Sequence, residues 1–145
     1  MGLSNVEVVR DQYEATNERD WERAMSHYAD EVVLVVHGEG IRTGTFEGRE
    51  ATGDWFGDFF SSFDRDGHFE IAQISELEDG RVALFADYRA RGRTSGVEVS
   101  GTVAWLYSFR DGKIVRLEGS TDFTSGMTSP AQAIERLRAQ AEAGE

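Results

Sequence analysis

The chain has no cysteine. That removes disulfides, thiolate nucleophiles and cysteine-bound metals together. It has one proline, Pro130, and one lysine, Lys113, so 14 of its 15 basic residues are arginine. Those 15 stand against 27 acidic residues, a formal net charge of −12. Phosphate recognition needs clustered cations, so neither nucleic acid nor an anionic membrane is an expected partner. No apolar run approaches the ~20 residues of a membrane span, and the N-terminus lacks a signal-peptide pattern. A cytoplasmic location is the resulting expectation. His27, His37 and His68 are scattered without metal-ligand spacing, and no phosphate-cradling glycine motif occurs. No metal and no cofactor is therefore expected.

What remains is 145 residues with 39% hydrophobic and 11% aromatic content, enough for one self-sufficient core. Ser4 with Glu7 forms a capping box, and Val6, Val9 and Tyr13 recur at helical spacing, which predicts a helix over 4–18. Trp21, Ala24, Met25 and Tyr28 predict a second helix over 21–28. The β-branched run 32–37 reads as a strand buried on both faces. Residues 38–48 read as a loop, or contain a short strand near 41–46. A third helix over 50–63 carries an aromatic stripe of Trp55, Phe56, Phe59, Phe60 and Phe63. Asp66-Gly67, Asp79-Gly80 and Asp111-Gly112 then signal hairpin turns of type I′, with Ser95-Gly96 a weaker fourth. Strands are placed at 68–78, 81–93, 97–110 and 113–123. Their length implies a curved, bulged sheet. Ser129-Pro130-Ala131-Gln132 caps a thinly apolar helix to about residue 143.

Helices first and a meander of long strands after them give an α+β fold. Three helices packed in the concave face of a strongly curved, mostly antiparallel sheet make a cone with an open end. The expected division is a cone domain over 1–128 and a C-terminal helical tail over 129–145.

Over residues 5–123 the chain resembles the nuclear transport factor 2-like superfamily, in its SnoaL-like branch. The carriers are NVEVVRDQYEATNERDWERAMSHYADEVV, FEGREATGDWF and RARGRTSGVEVSGTVAWLYSFRDGKIVRLEG, by their order and spacing. The resemblance implies a ligand site inside the cone and a homodimer through the sheet. Ala104 and Leu106, on the outer face, are the apolar residues that such a dimer would cover. Within the superfamily, Tyr13 matches the oxyanion-hole tyrosine of ketosteroid isomerases, allowing one deleted residue in the turn that follows. The two isomerase carboxylates fall on Val36 and Trp105, which excludes that activity.

Each remaining candidate has a functional and a plain reading. Tyr13 is either a hydrogen-bond donor to a developing oxyanion or a core tyrosine. His37, at the end of the first strand, is either a general base at the cone mouth or a solvent-facing strand end. Asp87 shares a strand face with Arg89 and Arg91, and is either a water-activating acid or part of a solvated ladder. Asp122 is either a site acid able to orient His37 or a turn cap. Trp55, Phe59, Tyr88, Trp105 and Tyr107 are either pocket walls or core. The reading adopted is a pocket for a small hydrophobic ligand. The alternative is a cofactor-independent isomerase, dehydratase, cyclase or epoxide hydrolase.

Overall fold

The computed structural model describes residues 3–37, 43–61, 67–92 and 95–120, with residue 139. Asp122, Phe63 and the helix placed at 129–143 lie outside the described residues.

Helix α1 (Asn5–Asn17) begins at the capping box read from the sequence. The Ser4 hydroxyl accepts from the Glu7 N–H at 3.2 Å, and the Glu7 carboxylate accepts from the Ser4 N–H at 3.1 Å. Such a cap contributes about 1 kcal/mol. Asp20 caps α2 (Trp21–Met25), which is shorter than its apolar spacing predicts. The chain leaves the helix at Ser26, and Tyr28 opens strand β1 (Tyr28–His37). The cause is tertiary. Tyr28 pairs with Ile114 across the sheet, and the Ile114 N–H donates to the His27 carbonyl at 2.9 Å.

A short edge strand β2 (Gly44–Glu47), helix α3 (Arg49–Ser61) and strands β3 (His68–Glu76), β4 (Val82–Arg91), β5 (Glu98–Arg110) and β6 (Lys113–Ser120) complete the order. The strands form one sheet in the order β2-β1-β6-β5-β4-β3. β1 and β6 run parallel and every other pair is antiparallel.

The turn signals divide. Asp111 and Gly112 both have positive φ, 53° and 78°, as a type I′ turn requires. At the β3–β4 hairpin only Gly80 is left-handed (φ 87°), and the Gly80 N–H donates to the Leu77 carbonyl at 3.0 Å. That is a longer loop built on an ordinary turn, with glycine at the position an L side chain disfavours. The Asp66-Gly67 signal falls in sequence between α3 and β3, a helix and a strand, and Asp66 lies outside the described residues.

Register shifts occur between Tyr28 and Val33, between Ile71 and Gln73, and between Ser108 and Phe109. They bend the sheet round α1 and α3. The concave face presents Leu34 and Val36 from β1, Phe69 from β3, Leu84 and Tyr88 from β4, Trp105 and Tyr107 from β5, and Leu117 from β6. These pack with Val9, Tyr13, Trp55, Phe56 and Phe59 of the helices as one core. The convex face holds a second, smaller cluster of Ala83, Phe85, Ala104 and Leu106.

Three sequence expectations change here. β1 alternates between buried and half-buried positions from Val32 to His37, so only one of its faces is fully covered. Simple alternation along the strand placed at 113–123 would put Ile114 on one face with Arg116 and Glu118, but it faces the core with Leu117 because of the shift at Ser108–Phe109. Ala104 and Leu106 are buried at 1% and 3% exposure within the single chain. A single chain therefore does not leave these two residues wet.

Candidate functional site

The cone interior is walled by aromatic rings from both layers. Trp55 stacks on Phe59 with centroids 5.6 Å apart and planes 10° from parallel. Trp55 also meets Trp105 edge-on at 6.1 Å, and Phe59 meets Tyr88 at 5.4 Å. Tyr88 packs on Phe69 at 4.7 Å, and Phe69 takes the edge of Tyr13 at 5.4 Å. Trp55, Phe59, Tyr88, Trp105 and Tyr107 thus share one concave cluster, and each is buried.

Several buried polar side chains lie on and around α1. The hydroxyls of Tyr13 and Tyr107 are close enough to affect each other electrostatically. Tyr107 also donates to the Gln12 side-chain oxygen at 3.4 Å, a long contact. The Gln12 amide donates to the Thr16 hydroxyl at 3.0 Å, and that hydroxyl donates to the Gln12 carbonyl at 2.7 Å. Tyr28 couples electrostatically to both Tyr13 and Tyr107, and its own hydroxyl has no hydrogen-bond partner among the described residues. Burial is the largest effect on all three phenols and pushes each well above the ordinary tyrosine range. They are neutral at physiological pH, donors rather than bases. The arrangement can hold a neutral oxygen acceptor against an aromatic wall.

The other expected groups are not brought there. His37 sits one residue past inward-facing Val36, so its side chain falls on the convex face, where its Nε2 lies 3.0 Å from Glu118 Oε2. Strand alternation is the physical reason, and no shift intervenes between Val33 and His37. Asp87 is exposed and alternates with buried Ala86 and Tyr88, so it too lies on the convex side, with Arg89 and Arg91. Tyr13 and His37 are therefore separated by the sheet. The structure places Val36 and Trp105, the positions matched to isomerase carboxylates, in the interior.

Sequence reasoning missed Gln12, Tyr28 and Glu118. Gln12 and Thr16 were legible at spacing four beside the Val9–Tyr13 stripe. Tyr28 was hidden by its helical spacing to Trp21 and Met25. Among the described residues no three His, Asp or Glu side chains gather as metal ligands. A separate open groove of about 550 Å³ runs between α2 and α3, past Met25, Arg49, Gly53 and Asp54. It does not touch the tyrosine cluster.

A curved sheet wrapped round two long helices over an aromatic core defines a cone-shaped α+β fold. The SnoaL-like domain family matches residues 9–117, and the chain belongs to that family. Comparison with curated proteins finds no match. Among solved structures, the chain is similar to Bal32a from a soil-derived mobile gene cassette, at 21% identity and a TM-score of 0.73, covering 79% of this chain and 86% of that one. It is similar to RV0760c from Mycobacterium tuberculosis in complex with estradiol-17beta-hemisuccinate, at 15% identity and 0.72, covering 86% and 100%. A protein with a ketosteroid isomerase-like fold from Catenulispora acidiphila, in complex with trimethylamine, is similar at 17% and 0.67, covering 89% and 92%. At these identities the likeness is one of fold. No helix among the described residues is long and apolar enough to cross a membrane.

Proposed function

We propose that this protein binds a small, neutral, hydrophobic organic molecule inside the cone, with an oxygen acceptor directed at the tyrosine cluster. The observation that carries this reading is the Tyr28 hydroxyl, buried in an aromatic interior with an unspent donor. An unmade hydrogen bond of that kind costs about 1–3 kcal/mol, which a ligand oxygen would recover. Gln12 and Thr16 are the buried polar side chains of α1, and neither is charged. A neutral ligand suits them better than an anion. RV0760c, of the same fold, is in complex with estradiol-17beta-hemisuccinate, a large hydrophobic ring system that also carries a carboxylate.

Catalysis would need a base within the cone. Among the described residues, His37, Asp87 and Glu118 stand on the opposite face of the sheet, and Asp122 lies outside those residues. Binding is therefore the reading we adopt over an acid–base enzyme.

The test is a titration of the protein with a naphthyl ketone and with the same ring system lacking the oxygen, followed by tryptophan fluorescence. A saturable change that is stronger for the ketone is expected, because Trp55 and Trp105 wall the site. No saturable change with either compound up to its solubility limit overturns the reading.

A further inference from the structure

Among the described residues Glu118 is the one buried carboxylate, 3% exposed on the convex face. A charge so placed must be paired. Its Oε1 accepts from Arg116 Nε at 2.5 Å and its Oε2 lies 3.0 Å from His37 Nε2. Its register partners on the flanking strands, Val35 and Leu106, are apolar. Among the described residues of β1, β5 and β6, His37 and Arg116 are the titratable or charged groups that meet it.

The next residue faces the other way. Gly119 pairs with Trp105, and a Cβ at Gly119 would overlap the six-membered ring of that indole. Trp105 therefore rests on bare backbone, and Trp55 and Phe56 meet it from the helix side at 6.1 and 6.2 Å. One peptide unit separates the ion cluster outside from the aromatic wall inside. No side chain cushions the two, and close-packed interiors transmit displacements.

We propose that Glu118 is a positioning residue for Trp105. Its contacts with Arg116 and His37 set the orientation of the Glu118–Gly119 peptide, and that backbone sets where the indole stands in the cone. This rests on the reading that Trp105 walls the ligand site only for its effect on binding. Its effect on the ring is independent of that reading.

The experiment follows the three indole N–H cross-peaks by NMR, with that of Trp105 assigned by its loss in Trp105→Phe. Gly119→Ala, which displaces the ring directly, marks how far the peak of a moved indole travels. Glu118→Gln keeps the shape and removes the charge. It is expected to shift the Trp105 peak in the same direction, to leave that of Trp21 in place, and to change naphthyl-ketone affinity about fivefold. A folded Glu118→Gln protein whose Trp105 peak coincides with wild type overturns the proposal, even if its unfolding midpoint has dropped. Should that variant not fold, His37→Gln carries the test, and an unshifted Trp105 peak there overturns it equally. If wild type binds no ketone, the binding function fails, and the cross-peaks still decide the positioning role.

Discussion

The Tyr28 hydroxyl is buried without a hydrogen-bond partner among the described residues, close enough to Tyr13 to feel its charge state. That makes it separable from an ordinary core tyrosine by mutation. Removing a hydroxyl that is satisfied destabilises a protein, whereas removing one that is not is neutral or favourable. Tyr28→Phe is therefore expected to unfold in urea at the wild-type midpoint or above it. The same change should weaken binding of the naphthyl ketone by about tenfold or less, the worth of one hydrogen bond, and leave the oxygen-free analogue unaffected. The reverse pattern, lost stability with unchanged ketone affinity, would place the hydroxyl in the structural network.

Between α1 and α2 the joint is electrostatic. Arg23 pairs with Asp11, with Glu18 at 2.9 Å and more distantly with Glu14 at 3.8 Å, and the His27 Nε2 lies 2.7 Å from the Asp11 carboxylate. The hydrogen bond from Arg23, aided by that from His27, holds the Asp11 carboxyl down at about 2. A depressed folded-state value means that the ionised form is the stabilising one. Its contribution is full above the ordinary aspartate range and is lost as pH falls from about 4 toward 2. Because the site is partly open to solvent, the gain is modest. Asp11→Asn is expected to lower stability at pH 7 by about 1 kcal/mol. The gap to wild type, read by urea denaturation, should close as pH approaches 2. A gap that stays constant down to that pH would assign the effect to packing. α1 is tied to the rest of the fold differently. Asn17 exchanges two hydrogen bonds with the Phe69 backbone, at 2.9 and 2.8 Å, and Asn5 donates to the Gly80 carbonyl at 2.9 Å. These bonds seat Tyr13 over the sheet.

As a whole, the molecule covers both faces of its central strands within one chain. Val82 to Ala86 and Val103 to Tyr107 are buried at every position. A chain whose folded state does not associate has a thermal midpoint independent of protein concentration, since association with the folded state responds to mass action. Calorimetry over about a tenfold dilution series is expected to return one midpoint. A midpoint rising with concentration would show that a second copy binds the folded chain.

Local chemistry carried much of this architecture. The Ser4 cap, the aromatic stripe of α3, the Asp111-Gly112 turn and the doubly apolar stretch of β5 act over a few residues, and those elements stand where the residues placed them. The same holds for the concave set of Trp55, Phe59, Tyr88, Trp105 and Tyr107. What the linear chain did not contain was the strand pairing. Tyr28 became a strand residue because Ile114, far along the chain, supplied its partner. His37 faces outward because period-two alternation from Val36 leaves it no other side, and Ile114 faces inward because a register shift interrupts that same alternation. Which titratable groups meet depends on long-range register. A one-residue slip exchanges the faces of a sheet, so the Tyr13–Tyr28–Tyr107 cluster and the Glu118–His37–Arg116 cluster emerged only once the six strands were aligned.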